Sequence, residues 1–218
     1  MVRHFPNRRW LVVLALAAAP AADAAWSVSG SVATPQGAAI ASAVVFVQAS
    51  SALPTAGQHA TAVVDQVEKT FVPGLLPIVV GTSVRFPNHD QIQHHVYSFS
   101  PTKTFELPLY KGEAAPPVLF DKVGVVKIGC NIHDWMSGII LVLPTPHFSV
   151  TDASGKYVLE NLPQGNYTLV VWQVQSNIKP EDTARQLQVG EDLANVNFTL
   201  TLSPARARPA VHGSRADP

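Results

Sequence analysis

Beyond its first two dozen residues, this chain runs in short stretches where apolar and polar positions alternate. "SVSGSVA", "SAVVFVQA", "TAVVDQVEKTF", "LPIVVGTSVRFPN" and "HHVYSFS" come first; past a polar, proline-containing middle follow "VVKIGC" and "GIILVL". The last third continues the habit with "KYVLENL", "NYTLVVWQV", "RQLQVG" and "ANVNFTLTL". A period of two over four to eight residues, rich in β-branched side chains, predicts strands with one buried face. Turn sequences such as "ASGK", "PQGN" and "VGED" separate them, and no window offers a long amphipathic helix. The expected fold class is all-β, a sandwich and not a β/α unit.

The pattern breaks at "SSALPTAGQ" and again at "LPTPH", Leu143–His147. A central block, residues 61–143, is thereby set off from residues 25–50 and 148–202. The last residues, 203–218, are rich in Pro, Ala and Arg without apolar periodicity, and are expected to form a disordered tail. The start has the layout of a secretory signal peptide: three arginines, an apolar stretch, and small residues at Ala22 and Ala24, with cleavage expected after Ala24. A membrane anchor is the alternative, but the run from Trp10 to Ala22 is short for a bilayer and no stop-transfer charges follow it. Export is expected, to the periplasm in a bacterial setting, without stable membrane insertion.

Composition narrows the chemistry. The 218 residues, 47% of them hydrophobic, suffice for one ordinary domain or two small ones. Beyond Ala24 there are 12 Lys and Arg against 14 Asp and Glu, so no clustered cationic surface points to a nucleic-acid partner. Exported proteins normally use cysteines in pairs, yet Cys130 is alone and can make no internal disulfide. A free thiol in an oxidising compartment is a liability unless it is buried or bound.

Cys130 sits in "GCNIHDWMSG", where Cys130, His133 and Met136 follow the spacing C-x2-H-x2-M. A thiolate, an imidazole and a thioether on one short loop after a strand make a soft nitrogen–sulfur donor set of the kind that selects copper. Such a site needs a further donor, and "QIQHHVYSFS" offers His94 and His95 at the start of an alternating strand, where one of the pair faces the interior. Blander roles stand beside these: a buried Cys as a small hydrophobe, a Met as core, His89 and Asp90 as polar loop residues, and His147 as a surface or interdomain residue. Glu106 and Glu113 are candidates for an acidic docking surface if the fold clusters them.

The central block resembles a cupredoxin, the fold of plastocyanin and amicyanin. The pattern V-x-F, Asn, a loop, then His falls on Val84, Phe86, Asn88 and His94, with His95 where the family commonly has asparagine and Val96 after it. The second half of the pattern falls on Cys130, His133 and Met136, and the short His-to-Met interval is amicyanin-like. The resemblance implies one copper ion in a type 1 site. Cys130, His94 and His133 would form its trigonal plane and Met136 its weak axial ligand, with Asn88 tying the ligand loops and Ile132 and Trp135 forming an apolar patch near His133. His95 either braces the site or competes as a ligand.

The flanking pieces resemble a transthyretin-like, carboxypeptidase regulatory-like module in two parts: "VSGSVATPQGAAIASAVVFV", then "FSVTDASGKYVLENLPQGNYTLVVW". Gly155 and Gly165 are expected in turns with positive φ, and Tyr157 and Tyr167 over the sandwich end. The expected architecture is a cupredoxin Greek-key β-sandwich inserted in, or adjacent to, a small transthyretin-like β-sandwich; a simple tandem is the alternative. The composite resembles proteins labelled methylamine utilisation proteins, which implies a periplasmic redox partner, a dehydrogenase or a cytochrome.

No Ser-His-Asp pattern, no HExxH and no facing pair of carboxylates suggests an enzyme. The function expected is one-electron transport through a blue-copper-like site. Periplasmic copper binding or delivery, and non-catalytic scaffolding, are the alternatives.

Overall fold

The computed structural model describes residues 25–48, 60–113 and 116–203. The expected signal peptide (residues 1–24), all of "SSALPTAGQ" and residues 204–218 of the expected tail lie outside the described residues. Ser203, counted with that tail, is tied down: its N–H bonds the Gln175 carbonyl at 2.8 Å. Among the described residues no helix is long and apolar enough to cross a membrane.

The chain opens with β1 (Ala25–Ala33) and β2 (Val44–Val47). The central stretch then supplies ten strands. They are β3 (Thr61–Val63), β4 (Asp65–Val67), β5 (Thr70–Val72), β6 (Leu75–Val79), β7 (Thr82–Arg85), β8 (His94–Ser100), β9 (Lys103–Tyr110), β10 (Val118–Phe120), β11 (Gly124–Gly129) and β12 (Ser137–Leu143). A five-stranded sheet, β6-β12-β11-β8-β9, lies over a three-stranded sheet, β10-β7-β3, with a β4–β5 ribbon beside them. Val84, Phe86, Val96, Phe120, Val126 and Ile140 fill the space between, and Cys130 and Met136 belong to that same buried cluster.

The strand β9 arises from the proline-containing middle, where sequence alternation offered no clear run. It pairs antiparallel with β8, but the register slips between His94 and Val96: His94 faces Tyr110 while Val96 faces Leu107. The extra residue falls at Pro108–Leu109. Proline lacks the N–H of a regular ladder and is accommodated where a bulge interrupts pairing.

The last third supplies β13 (Phe148–Val150), β14 (Lys156–Pro163), β15 (Gly165–Trp172), β16 (Arg185–Val189) and β17 (Phe198–Thr199). These pair with the first two strands of the chain: β14-β1-β17 form one sheet and β13-β2-β15-β16 another. Val28, Val32, Val45, Leu159, Leu169 and Val171 are among the residues of a core distinct from the central one. Thr151 cross-links the two ends of the chain, its hydroxyl donating to the Ile40 carbonyl at 2.7 Å and accepting the Ala43 N–H at 2.9 Å.

The two bodies of sheet meet through a third apolar cluster in which Leu141 and Leu143 of β12 pack with Val44, Phe46 and Val170. That contact explains the unbroken runs "VVFV" and "IILVL". A strand covered on both faces has no polar side to alternate.

One turn expectation needs correction. Gly155 has φ 74°, but Gly165 opens β15 without positive φ, and the left-handed residue nearby is Asn161 at 58°. The Tyr167 ring lies beside Gly165, and Tyr157 comes from the preceding strand β14. Both are buried in the core, their hydroxyls donating to the carbonyls of Val196 and Pro163 at 2.6 and 2.8 Å.

Candidate metal centre

The loop joining β11 to β12 runs from Cys130 to Met136. Cys130 directly follows β11, Met136 directly precedes β12, and antiparallel pairing of those strands from Gly129–Ser137 inward sets the loop's length. Inside it the Cys130 N–H donates to the Met136 carbonyl at 3.1 Å and the Met136 N–H to the His133 carbonyl at 2.9 Å. These bonds turn His133 back toward Cys130. Cys130 and Met136 are buried, His133 is half-buried, and Ile132 and Trp135 stay exposed on either side of it.

His94 arrives from the neighbouring strand of the same sheet as the first residue of β8, fully buried. Its Nδ1 lies 3.8 Å from Cys130 Sγ, and His133 Nδ1 lies 3.7 Å from the same sulfur. One donor atom from each of His94, Cys130 and His133 falls within 4.8 Å of the others. For bonds of about 2.3 Å to sulfur and about 2.0 Å to nitrogen, as in zinc sites, a trigonal arrangement puts sulfur and nitrogen about 3.7 Å apart. The observed separations fit an ion held at the centre of the three, and the donor chemistry is that of a soft metal. The cluster, with Met136 beside it in the sequence and in the core, resembles a type 1 blue-copper site.

The electrostatics favour donors ready to bind. Burial, and after it the neighbouring His94 and Lys69, hold His133 below the ordinary imidazole value against the pull of Asp90. With Nδ1 turned to the sulfur, His94 presents its Nε2 to Asp90 Oδ2 at 2.7 Å. Burial pushes the Asp90 carboxyl up, but hydrogen bonds from the Lys69 N–H, His94 and the Glu68 N–H outweigh it and hold it below the usual carboxylate range.

His95 does not face the cluster. Its Nε2 pairs with Glu106 Oε1 at 2.9 Å, and its ring packs 5.8 Å from Tyr97, two positions along β8. The alternation of β8 settles the choice between the two histidines: His94 and Val96 point inward, His95 and Tyr97 outward. Asn88 braces one loop, not both. Its Nδ2 donates to the carbonyls of Ile92 and Tyr110, and its Oδ1 accepts the Asp90 N–H, all on the His94 side. Glu106 and Glu113 each have a partner, Glu113 with Arg85 at 3.1 Å and Glu106 with His95 at 2.9 Å. His147 lies between β12 and β13, its carbonyl accepting the Val47 N–H at 3.0 Å.

Asp90 was indistinct in the sequence. Its N–H partners, Glu68 and Lys69, lie more than twenty positions back, so no local spacing marks it. The one available sign was an acid four residues before the candidate ligand. Ile92, 40% exposed, carries no mark in the sequence and joins Ile132 and Trp135 among the exposed apolar side chains of the two ligand loops.

No protein-family model matches the chain, and no curated protein matches it. Solved structures do. The chain is similar to a purple cupredoxin from Nitrosopumilus maritimus, with 26% identity, 38% of this chain and 98% of that one covered, and a TM-score of 0.33. It is similar to a reduced mutant of amicyanin, with 22% identity, 45% and 97% covered, and a TM-score of 0.36. A third likeness is to a Cu-containing nitrite reductase from Thermus scotoductus, with 28% identity, 44% and 25% covered, and a TM-score of 0.35. The likeness is to an all-β, multi-sheet, cupredoxin-like sandwich and spans less than half of this chain; the metal-site reading stands on the donor geometry.

Proposed function

We propose that this protein is an exported one-electron carrier with a single copper ion held by His94, Cys130 and His133 and, more weakly, by Met136. One observation carries the reading: both imidazole Nδ1 atoms face the one thiol sulfur, at 3.7 and 3.8 Å, inside a buried cluster. Copper, when bound, supplies a one-electron couple. The chain supplies the rest. Cys130 offers a soft sulfur donor, His94 and His133 offer imidazole nitrogens, and β8 and the β11–β12 loop bring all three together. A donor set that moves little between oxidation states keeps the reorganisation cost of electron transfer low.

His133 is the half-buried ligand, with the Trp135 ring 5.3 Å from its own. Ile92, Ile132 and Trp135 would meet a periplasmic redox protein there, and the electron would cross at the His133 edge. A delivery protein would profit from a spare ligand, but His95 faces away and is engaged by Glu106. The second body of sheet, built from residues within 25–48 and 148–202, we read as the transthyretin-like module interrupted by the cupredoxin block, its role being to position that block. Four protein ligands leave no open position for a substrate, which favours a carrier over an enzyme.

The test is the visible spectrum of purified protein loaded with Cu(II). An intense thiolate-to-copper band, stable to a competing chelator, is expected. A faint band from a complex that dissociates quickly would transfer the reading to copper delivery.

A further inference from the structure

The β4–β5 ribbon closes through Glu68 and Lys69, both left-handed, with φ of 51° and 57°. Two consecutive positive-φ residues make a type I′ turn, a conformation that asparagine and glycine adopt readily and Glu-Lys does not. Something must hold it. The Glu68 N–H donates to Asp90 Oδ1 at 2.6 Å and the Lys69 N–H to Asp90 Oδ2 at 2.8 Å, so the turn's two amides form a cradle for one carboxylate. The same Asp90 Oδ2 accepts His94 Nε2 at 2.7 Å. The ribbon is laced to this loop elsewhere too, by His89 Nδ1 on the Asp65 carboxylate at 2.8 Å and by the His89 N–H on the Gln66 carbonyl at 3.0 Å.

We propose that Asp90 is a positioning residue of the metal centre: it locks His94 in the Nε2–H tautomer with Nδ1 toward Cys130, and through the same carboxylate it makes the Glu68–Lys69 turn an outer brace of the site. The copper consequences rest on the function proposed above; the tautomer and the brace do not. A fixed carboxylate on the far nitrogen makes the imidazole a stronger donor and stabilises the more highly charged oxidation state of a bound metal. The left-handed turn persists because the carboxylate compensates it, and the ligand is oriented because the turn holds the carboxylate.

The experiment compares the native protein, Asp90→Asn and Asp90→Glu, each with and without copper. Without copper, nitrogen NMR should find His94 as the Nε2–H tautomer in the native protein and as a mixture in Asp90→Asn, with faster hydrogen exchange at the Glu68 and Lys69 amides. With copper, Asp90→Asn should lose about 10- to 100-fold in Cu(II) affinity against a competing chelator. Its reduction potential should shift upward, and Asp90→Glu, which retains a carboxylate, should recover part of both losses. Native tautomer, exchange, affinity and potential in Asp90→Asn would overturn the proposal. Faster exchange with unchanged tautomer and affinity would also overturn it, since the carboxylate would then serve the turn alone. If the native protein shows no thiolate band, the electron-carrier reading fails, and the copper-free measurements still decide the role of Asp90.

Discussion

Exchanging one sulfur for oxygen at Cys130 separates the metal chemistry from the packing. Cys130 is 4% exposed and faces two imidazole nitrogens, so the hydroxyl of Cys130→Ser has acceptors at hand and the fold should survive. The charge-transfer band should vanish, and reduction by any partner should fall to background even where some copper remains on His94 and His133. Copper content and reduction kinetics on the same samples check this, and full electron transfer by the serine variant would remove the carrier mechanism. Met136→Leu should do less. The side chain is 1% exposed and leucine nearly conserves its volume, so the stability loss should be under about 1.5 kcal/mol. The potential should rise, because the oxidised ion loses its weak thioether donor.

Among the elements, the strands at the two ends of the chain depend on contacts that no local pattern announces. Thr151 satisfies the Ala43 N–H and the Ile40 carbonyl across more than a hundred residues of chain. Thr151→Val should cost about 1–3 kcal/mol in a urea titration, because it leaves a buried donor without a partner. Gly30 of β1 sits opposite Tyr157, whose hydroxyl reaches across it to the Val196 carbonyl. A Cβ at Gly30 would overlap that carbonyl, so Gly30→Ala should push the segment off β1 and destabilise by about 1–3 kcal/mol. A native melting curve for either variant would contradict the assigned contact. Strands with one open face, such as β14, with exposed and buried positions alternating over Lys156–Leu159, were readable from their alternation. The strand β9 was not, because its bulge at Pro108–Leu109 breaks the period that reveals a strand.

For the whole molecule, pH sets the balance through groups that folding moves in known directions. Burial holds His147 below its ordinary value, and His133 is held low as well. The folded state therefore binds fewer protons than the unfolded one below about pH 6.5, and this contribution is present above that pH and lost as pH falls through it. Asp90 is held low too, so its contribution persists above about pH 4 and is lost below it, whereas Asp121 and Asp152, also held low, are exposed and screened. His89, raised mainly by its hydrogen bond to Asp65, opposes the first trend, but its side chain is 66% exposed and the pair is screened. The urea midpoint of the copper-free protein should fall between pH 7.5 and pH 5.5 and again below pH 4. A midpoint that rises on acidification to pH 5.5 would reverse this ordering.

Local spacing was enough to show what lies close along the chain. Alternation marked most strands, and the seven-residue interval from Cys130 to Met136 bound three soft donors to one loop, since a hairpin connection of that length keeps its residues within reach of one another. Whether His94 or His95 joins them needed β8 to be laid against β9 and β11, which turns one ring to the sulfur and the other to Glu106. The roles of Asp90 and the Glu68–Lys69 turn, the double burial of β2 and β12 and the partners of Thr151 emerge only once the elements are packed. Each depends on residues twenty to more than a hundred positions apart. A local pattern carries the period of one element, whereas the hydrogen bonds that satisfy a buried carboxylate or hydroxyl form only when separate elements are packed together.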